Sequence, residues 1–280
     1  MATNPKHIGF DDVDSSNDPQ FFVKCLNEQY AKSPILRLCK HRTLEMADIQ
    51  DGHMVLDVGC GTGVDAIQMA TLVGQSGHVF GIDLSQEMIL SAQKNAAAVD
   101  LPITFRCSGI YQLEFENSFF DRCRADKTFQ HLSDPRAALK EMIRVTKPGG
   151  KIIIADPDHD SLRIDTPFTD VNQRFTRFRS AHMPQGGIAH QMYGICKELG
   201  LVNVYVDALT HVYTDYEEKK VTSPYLEEIW VAEQHGVVSH EEAEKWAAYV
   251  LEAIESERFM CMQTYVITMA MKPLHESNTA

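Results

Sequence analysis

Apolar residues along this chain follow two spacings. Short apolar runs stand at Met54–Val58, His78–Ile82, Ile103–Cys107, Phe119–Ala125 and Lys151–Ala155. Runs of four to eight apolar residues between turn residues fit strands covered on both faces. Between them the apolar residues recur at helical spacing. Val64, Ile67, Met69, Ala70 and Val73 mark one helix and Gln86–Val99 a second. A third runs from Asp134-Pro135, a side-chain cap and a pre-set first residue, to Val145. This rhythm predicts an α/β fold, a parallel sheet with helices on both faces. Pro148-Gly149-Gly150 reads as the turn into the fifth strand.

The flanks are patterned differently. Pro19–Cys39 carries an apolar stripe of Phe21, Phe22, Cys25, Leu26 and Tyr30, which Pro34 should break; Ile35–Met46 then restarts a helix. Leu201–Leu209 reads as a sixth strand, and Ser223–Gln234 and Glu241–Ile254 as helices, the second opened by a capping box of Ser239 and Glu242. Met260–Met271 alternates as a strand does. Met1–Asp18 reads as a flexible leader without an apolar signal segment, and Pro273–Ala280 as a loose tail.

Composition narrows the partners. The 280 residues suit one large domain, or one with a subdomain. A net charge of −13 disfavours nucleic acid and anionic membranes as partners. No apolar run is long enough to span a bilayer. Seven cysteines without a CxxC pair argue for a reducing compartment, hence the cytoplasm, and against a metal site. A small-molecule partner is expected, and self-association is left open.

The chemistry concentrates at Val55–Gly63, Val-Leu-Asp-Val-Gly-Cys-Gly-Thr-Gly, where a strand meets a helix through Gly59, Gly61 and Gly63. Such a turn at the carboxyl end of a parallel strand is the usual ligand site of an open α/β sheet. A dinucleotide fingerprint would need glycine at position 64, which is Val64, and no Gly-Lys-Ser/Thr follows for a phosphate loop. Cys60 fits the turn as a small residue. A second motif, Gly81-Ile82-Asp83-Leu84-Ser85, places Asp83 about 20 residues on, where a carboxylate can accept from ribose hydroxyls. Asp83 could instead cap the next helix, but Ser85 can do that and leave it free.

The Asp-x-Gly-x-Gly-x-Gly pattern from Asp57 resembles motif I of the class I S-adenosylmethionine (SAM) methyltransferases. A carboxylate beside the turn suits the sulfonium and ammonium of that cofactor. His131-Leu132-Ser133-Asp134-Pro135 and Val145–Gly150 are similar to segments of the ubiquinone/menaquinone-type (UbiE-like) members. The likeness covers about residues 50–160. It implies a Rossmann-like, doubly wound, seven-stranded sheet, mostly parallel, with Met260–Met271 as an antiparallel last strand at the edge. It implies a cofactor set of Asp57, Gly59, Gly61, Gly63, Asp83, Leu84, Met88, Gly109, Ile110 and Asp126. Met88 either packs on the adenine or belongs to the core. Gly109 stands where the family has an acidic adenine contact, so backbone at Gly109-Ile110 would serve instead.

The expected divisions are lid helices in 1–49, a SAM-binding core in 50–160, a substrate cap in 161–200, and the end of the sheet with inserted helices in 201–280. Asp156-Pro157-Asp158-His159-Asp160 follows the fifth strand and should face the substrate, which makes His159 the first candidate for a site base. His131 reads as packing or capping. Phe168–Tyr193 reads as a helical cap whose Phe178, Met183 and Tyr193, with Phe22 and Tyr30 of the lid, would line a hydrophobic acceptor site; the same stripe also suits core packing. The expected activity is SAM-dependent methylation of a small hydrophobic metabolite of secondary metabolism, at a prenyl, terpenoid (teleocidin-type) or aromatic carbon. O- or N-methylation, or a non-methylating SAM-fold role, are the alternatives.

Overall fold

The computed structural model describes residues 13–16, 18–220 and 223–274, without the side chains of residues 29, 30 and 32. Most of the expected leader (1–12 and 17) and of the tail (275–280) lies outside the described residues.

The five apolar runs pair as the parallel part of one sheet: β1 (Met54–Val58), β2 (His78–Asp83), β3 (Ile103–Cys107), β4 (Phe120–Asp126) and β5 (Thr146–Pro157), in the order β3-β2-β1-β4-β5. Asp57 lies opposite Gly81 on one side and Arg124 on the other. The chain leaves β1 first toward β2 and β3, then returns to β4. The strand order therefore reverses at β1 and β4, and a crevice opens beyond their carboxyl ends. The expected Pro-Gly-Gly turn is a bulge inside β5: Phe120 pairs with Thr146 but Arg122 with Lys151, and Gly149 takes φ +76°.

The sheet continues with β8 (Cys261–Met271), antiparallel to β5, and with β7 (Val202–Tyr213) outside it. The last strand is thus not the edge strand, as expected above; β7 is. Side-chain alternation reports which face each residue takes, whereas neighbours are chosen through backbone hydrogen bonds, so the pattern of Met260–Met271 could not place it. Burial shows the difference: Ile267 and Ala270 are covered, while Val202, Tyr205, Val206 and Val212 of β7 are exposed. A two-residue β6 (Arg163–Ile164) on β8 completes the eight strands found among the described residues.

The helices are α1 (Pro19–Lys32), α2 (Pro34–Ala47), α3 (Val64–Leu72), α4 (Gln86–Ala96), α5 (Pro135–Val145), α6 (Thr169–His182), α7 (Ile188–Glu198), α8 (Tyr216–Lys220), α9 (Tyr225–Gln234) and α10 (His240–Glu255). Ser33, Ser85, Asp134 and Ser239 cap α2, α4, α5 and α10 through their side chains. Alternate strand residues serve opposite faces. Leu56, Ile152 and Ile154 pack with α5 and α7. Val55 packs with α3 and α4, and Ile153 with α2. The Phe168–Tyr193 stretch is not one cap. Its α7 half lies on the sheet, while Phe175 of α6 joins Tyr225 of α9 and Trp246 of α10 in a separate core. Among the described residues no helix is long and apolar enough to cross a membrane.

Candidate functional site

A cavity of about 310 Å³ opens beyond β1, β2 and β4, the position that the strand reversal predicts. Its wall begins with the glycine turn. Gly59 and Gly61 take φ +68° and +53° and both line the cavity. A Cβ on Gly59 would stand 2.2 Å from Thr128 Oγ1, so glycine is required there sterically as well as conformationally. Gly63 does not line the cavity. It abuts Phe105 and Ala92 and seats α3 on the sheet.

Asp83 ends β2 at the cavity wall. Its Oδ2 accepts from the Gly61 N–H (2.9 Å) and its Oδ1 from the Ser85 N–H (2.9 Å), and burial raises its pKa. Each oxygen keeps acceptor capacity. Ser85 caps α4, which frees Asp83 from that task. Asp14 reinforces the cap by accepting from Ser85 Oγ and from the Gln86 N–H (2.7 Å). Residues 13–16 are therefore not a loose leader: Val13 is buried against Val23 and Met88, and Asp14 is tied to the positive end of α4.

The floor is an ion network. Arg124, 2 % exposed, donates to Asp57 Oδ1 (3.0 Å), Asp65 Oδ2 (2.9 Å) and Asp126 Oδ2. Lys40 of α2 donates to Asp126 Oδ2 (3.1 Å) and to Asp65, and the Tyr265 hydroxyl donates to Asp126 Oδ1. Burial would raise Asp126, but Lys40 and Arg124 outweigh it and hold the carboxyl well below the usual range. Burial wins at Asp57, which is pushed up to about 6 in spite of Arg124. Three carboxylates share two cations, and Asp57 Oδ2 and Asp65 Oδ1 are buried with no donor. The floor thus has a negative charge in excess, which suits a cationic ligand.

The segment after β4 forms the far wall with Lys127, Thr128, Gln130, His131 and Leu132. His159 stands one residue behind it, its Nε2 2.7 Å from Gln130 Oε1. The Gln130 amide nitrogen is committed to the Lys127 carbonyl (3.1 Å), so Oε1 can only accept and His159 Nε2 carries the proton. Nδ1 then holds a lone pair, and it is buried without a partner. Burial, followed by Arg179 and Lys219, pushes this imidazole down to about 3.

Of the residues singled out from the sequence, Asp57, Gly59, Gly61, Asp83, Leu84, Met88, Gly109, Ile110 and Asp126 come together around the cavity. Phe22, Phe178, Met183 and Tyr193 do not line it. Phe22 packs behind Met88, Phe178 lies against His182 and His235, and Tyr193 is half exposed. The Tyr30 side chain lies outside the described residues. Sequence reasoning missed Asp14, Lys40, Asp65 and Arg124. Arg124 left a signal, a charge inside a strand read as fully buried; Lys40 and Asp65 left none, since helical charges normally face water. Among the described residues, Asp158, Asp160 and His190 bring three ligand-type atoms within 4.8 Å of one another, away from the cavity lining.

Residues 49–214 match a family described as a methyltransferase domain. An uncharacterized 37.1 kDa protein in transposon TN4556 of Streptomyces fradiae is 35 % identical over 67 % of this chain and 54 % of its own length. The ubiquinone/menaquinone biosynthesis C-methyltransferase UbiE of Bdellovibrio bacteriovorus is 36 % identical over 44 % of this chain and 52 % of its own. The chain thus spans about half the length of these curated relatives. Among solved structures, Haemonchus contortus phosphoethanolamine N-methyltransferase 2, in complex with phosphomonomethylethanolamine and S-adenosylhomocysteine, superposes with a TM-score of 0.60 at 19 % identity, over 95 % of this chain and 61 % of that one. That likeness is one of fold.

Proposed function

The chain belongs to the methyltransferase-domain family, of the class I, UbiE-like kind, and from that premise we propose that it transfers a methyl group from SAM to a small organic acceptor. The observation that carries this reading is the cavity floor, where two buried carboxylate oxygens lack donors beside two glycines at positive φ. Those residues fit the cofactor. Asp57 and Asp65 answer its cationic groups, Lys40 its carboxylate, and the free acceptor capacity of Asp83 its ribose. Leu84, Met88 and Ile110 of the cavity lining would flank the adenine, with backbone at Gly109 nearby. SAM, when bound, supplies a methyl on a sulfonium, already activated for displacement. The protein's task is then alignment and exclusion of water.

The acceptor lies toward Lys127, Gln130 and His131, with His159 behind as positioning residue or base. The cavity also carries Leu26, Leu36, Val64 and Leu132, which supports an acceptor with an apolar body. Among the described residues Tyr111 is the one Phe, Tyr or Trp in the lining. A prenyl, terpenoid or aromatic carbon of a secondary metabolite is the first reading of the acceptor atom. A hydroxyl or amine acceptor is the second reading.

Calorimetry with SAM, S-adenosylhomocysteine and NADH tests the cofactor, and labelled SAM with candidate acceptors tests transfer. Binding of the first two and not of NADH, with a mass gain of one methyl, is the expected result. Cofactor binding with no transfer to any acceptor would favour a non-methylating role. His159→Ala should slow turnover and leave S-adenosylhomocysteine binding intact; unchanged kinetics would reduce His159 to a loop residue.

A further inference from the structure

We propose that Tyr111 is a positioning residue that gates the cavity: its hydroxyl ties the two rims of the mouth together, and this tie opens for each exchange of the adenosyl cofactor. The identity of the ligand rests on the methyltransferase reading, and the gate on the geometry of the rim.

Exposure locates the mouth. The cavity floor is closed to solvent, with Asp57 1 % and Arg124 2 % exposed. Among the described lining residues, the exposed ones are Asp14, Leu84 and Tyr111. Asp14 is tied to the start of α4, and Leu84 follows directly on β2. Tyr111 belongs instead to the connection between β3 and β4. A ring left 44 % exposed gains only part of the free energy of burial, so its polar end weighs more in fixing its place.

That polar end reaches the opposite rim. The Tyr111 hydroxyl stands 3.0 Å from Ser133 Oγ and accepts from the Asp134 N–H (3.0 Å). Gly109, Ile110 and Tyr111 line one side of the cavity and Gln130, His131 and Leu132 the far wall, so the bridge spans the opening between them. The backbone under Tyr111 is fixed. The Ser108 N–H donates to the Asp83 carbonyl (2.9 Å) and the Leu113 N–H to Glu141 Oε2 (2.9 Å). Arg144 holds the carbonyls of Leu113 and Phe115 (both 2.8 Å), and Ile110 is buried in the core. The movable part is therefore the Tyr111 side chain. Among the described residues, the hydrogen bonds that join residues 109–112 to another segment are those of its hydroxyl. Rotation of the side chain would carry the ring off the rim at the cost of those bonds. Half-exposed side chains held in this way open locally far more often than the core around them.

Surface plasmon resonance on the immobilised full chain gives the association and dissociation rates of S-adenosylhomocysteine. The bridge is made in the free and in the loaded protein and broken during passage, so its loss lowers both barriers. Tyr111→Phe, which keeps the ring, should raise both rates about tenfold, equivalent to about 1.4 kcal/mol off each barrier, and leave Kd within about threefold. Ser133→Ala should raise both rates less, and Ser133→Thr, which keeps a hydroxyl, should match the parent. A merely structural role would lower the melting temperature and leave both rates unchanged. A direct contact with the ligand would raise the dissociation rate alone. Either result would overturn the gate. Amide exchange at Asp134, whose N–H the bridge protects, needs no ligand. It should quicken about tenfold in Tyr111→Phe, and an unchanged exchange rate would also overturn the gate. Absence of S-adenosylhomocysteine binding to the parent would instead sink the cofactor reading, with the Asp134 exchange still judging the bridge.

Discussion

Gly59 offers the sharpest test of the site's architecture. Gly59→Ala adds one methyl group, and three consequences follow from the geometry. The residue keeps φ near +68°, which costs an L-amino acid roughly 1–2 kcal/mol. The new Cβ would stand 2.2 Å from Oγ1 and 2.9 Å from Cγ2 of Thr128, in a tightly packed place where overpacking costs roughly 1–3 kcal/mol. Moving Thr128 away strains the hydrogen bond its hydroxyl donates to the Val58 carbonyl (3.1 Å), a net loss of about 0.5–1.5 kcal/mol. Together these amount to roughly 3–6 kcal/mol, a large part of a typical domain's stability of about 5–15 kcal/mol. Gly109→Ala is the control, since its Cβ would meet nothing closer than Leu84 Cδ1 at 3.8 Å, and it should cost under about 0.5 kcal/mol. Urea denaturation followed by circular dichroism measures both. Adding Thr128→Ala to Gly59→Ala should recover the steric part and leave the dihedral part, a coupling of about 1–3 kcal/mol. If Gly59→Ala falls within about 1 kcal/mol of Gly109→Ala, the turn does not approach Thr128 as described and the cavity wall is built differently.

The remaining predictions concern charge. Asp83→Ala should weaken S-adenosylhomocysteine binding by roughly 10–100-fold, the scale of lost charge-assisted hydrogen bonds; calorimetry showing unchanged affinity would remove the ribose role. Asp57 titrates near 6 in the free protein, so a cationic ligand should drive a proton off it. SAM binding at pH 6 should therefore release protons, seen as a buffer-dependent enthalpy that fades above about pH 7.5 and is absent in Asp57→Asn; an identical signal from the variant would assign the proton elsewhere. His211 is held down to about 4, chiefly by burial, between Cys39 (2.8 Å) and Tyr213 (3.0 Å). The unfolded chain binds this proton below about 6.5 and the native one does not, so stability is full above that pH and falls toward pH 4, by up to about 1.4 kcal/mol per pH unit. The stability gap between the parent and His211→Gln should narrow by roughly 2 kcal/mol from pH 6.5 to 4.5; parallel curves would contradict the assignment.

The parts of this molecule that were legible in its sequence are those in which one physical cause dominates. Met54–Val58 is a strand with the bounds that its apolar run indicates, because burial on both faces leaves no other reading; Ile103–Cys107 also keeps its bounds, although as an edge strand it buries only Phe105. Ser85, Asp134 and Ser239 cap as expected, since capping is local chemistry. The glycine turn and Asp83 meet at the cavity because strand ends and the helix start fix them to one another. Partnership across the sheet was not legible: β8 between β5 and β7, or α7 on the sheet and α6 away from it, depends on which apolar faces find each other. Nor was the apolar stripe of Phe178, Met183 and Tyr193 informative, since a stripe that serves a core and one that serves a ligand have the same spacing.

The ion network is the clearest case of this limit, and it also shows why α2 belongs to the site. Lys40 is separated by 25 residues from Asp65 and by 86 from Asp126, yet its ammonium reaches both. Each of these charges would be costly to bury alone, and each is tolerated because the others are present. The carboxylates come from β1, α3 and β4, the cations from α2 and β4, and the Tyr265 hydroxyl from β8. Displacing α2 would withdraw a cation from two buried carboxylates. The seat of α2 on the sheet and the charge state of the cavity floor are therefore one equilibrium.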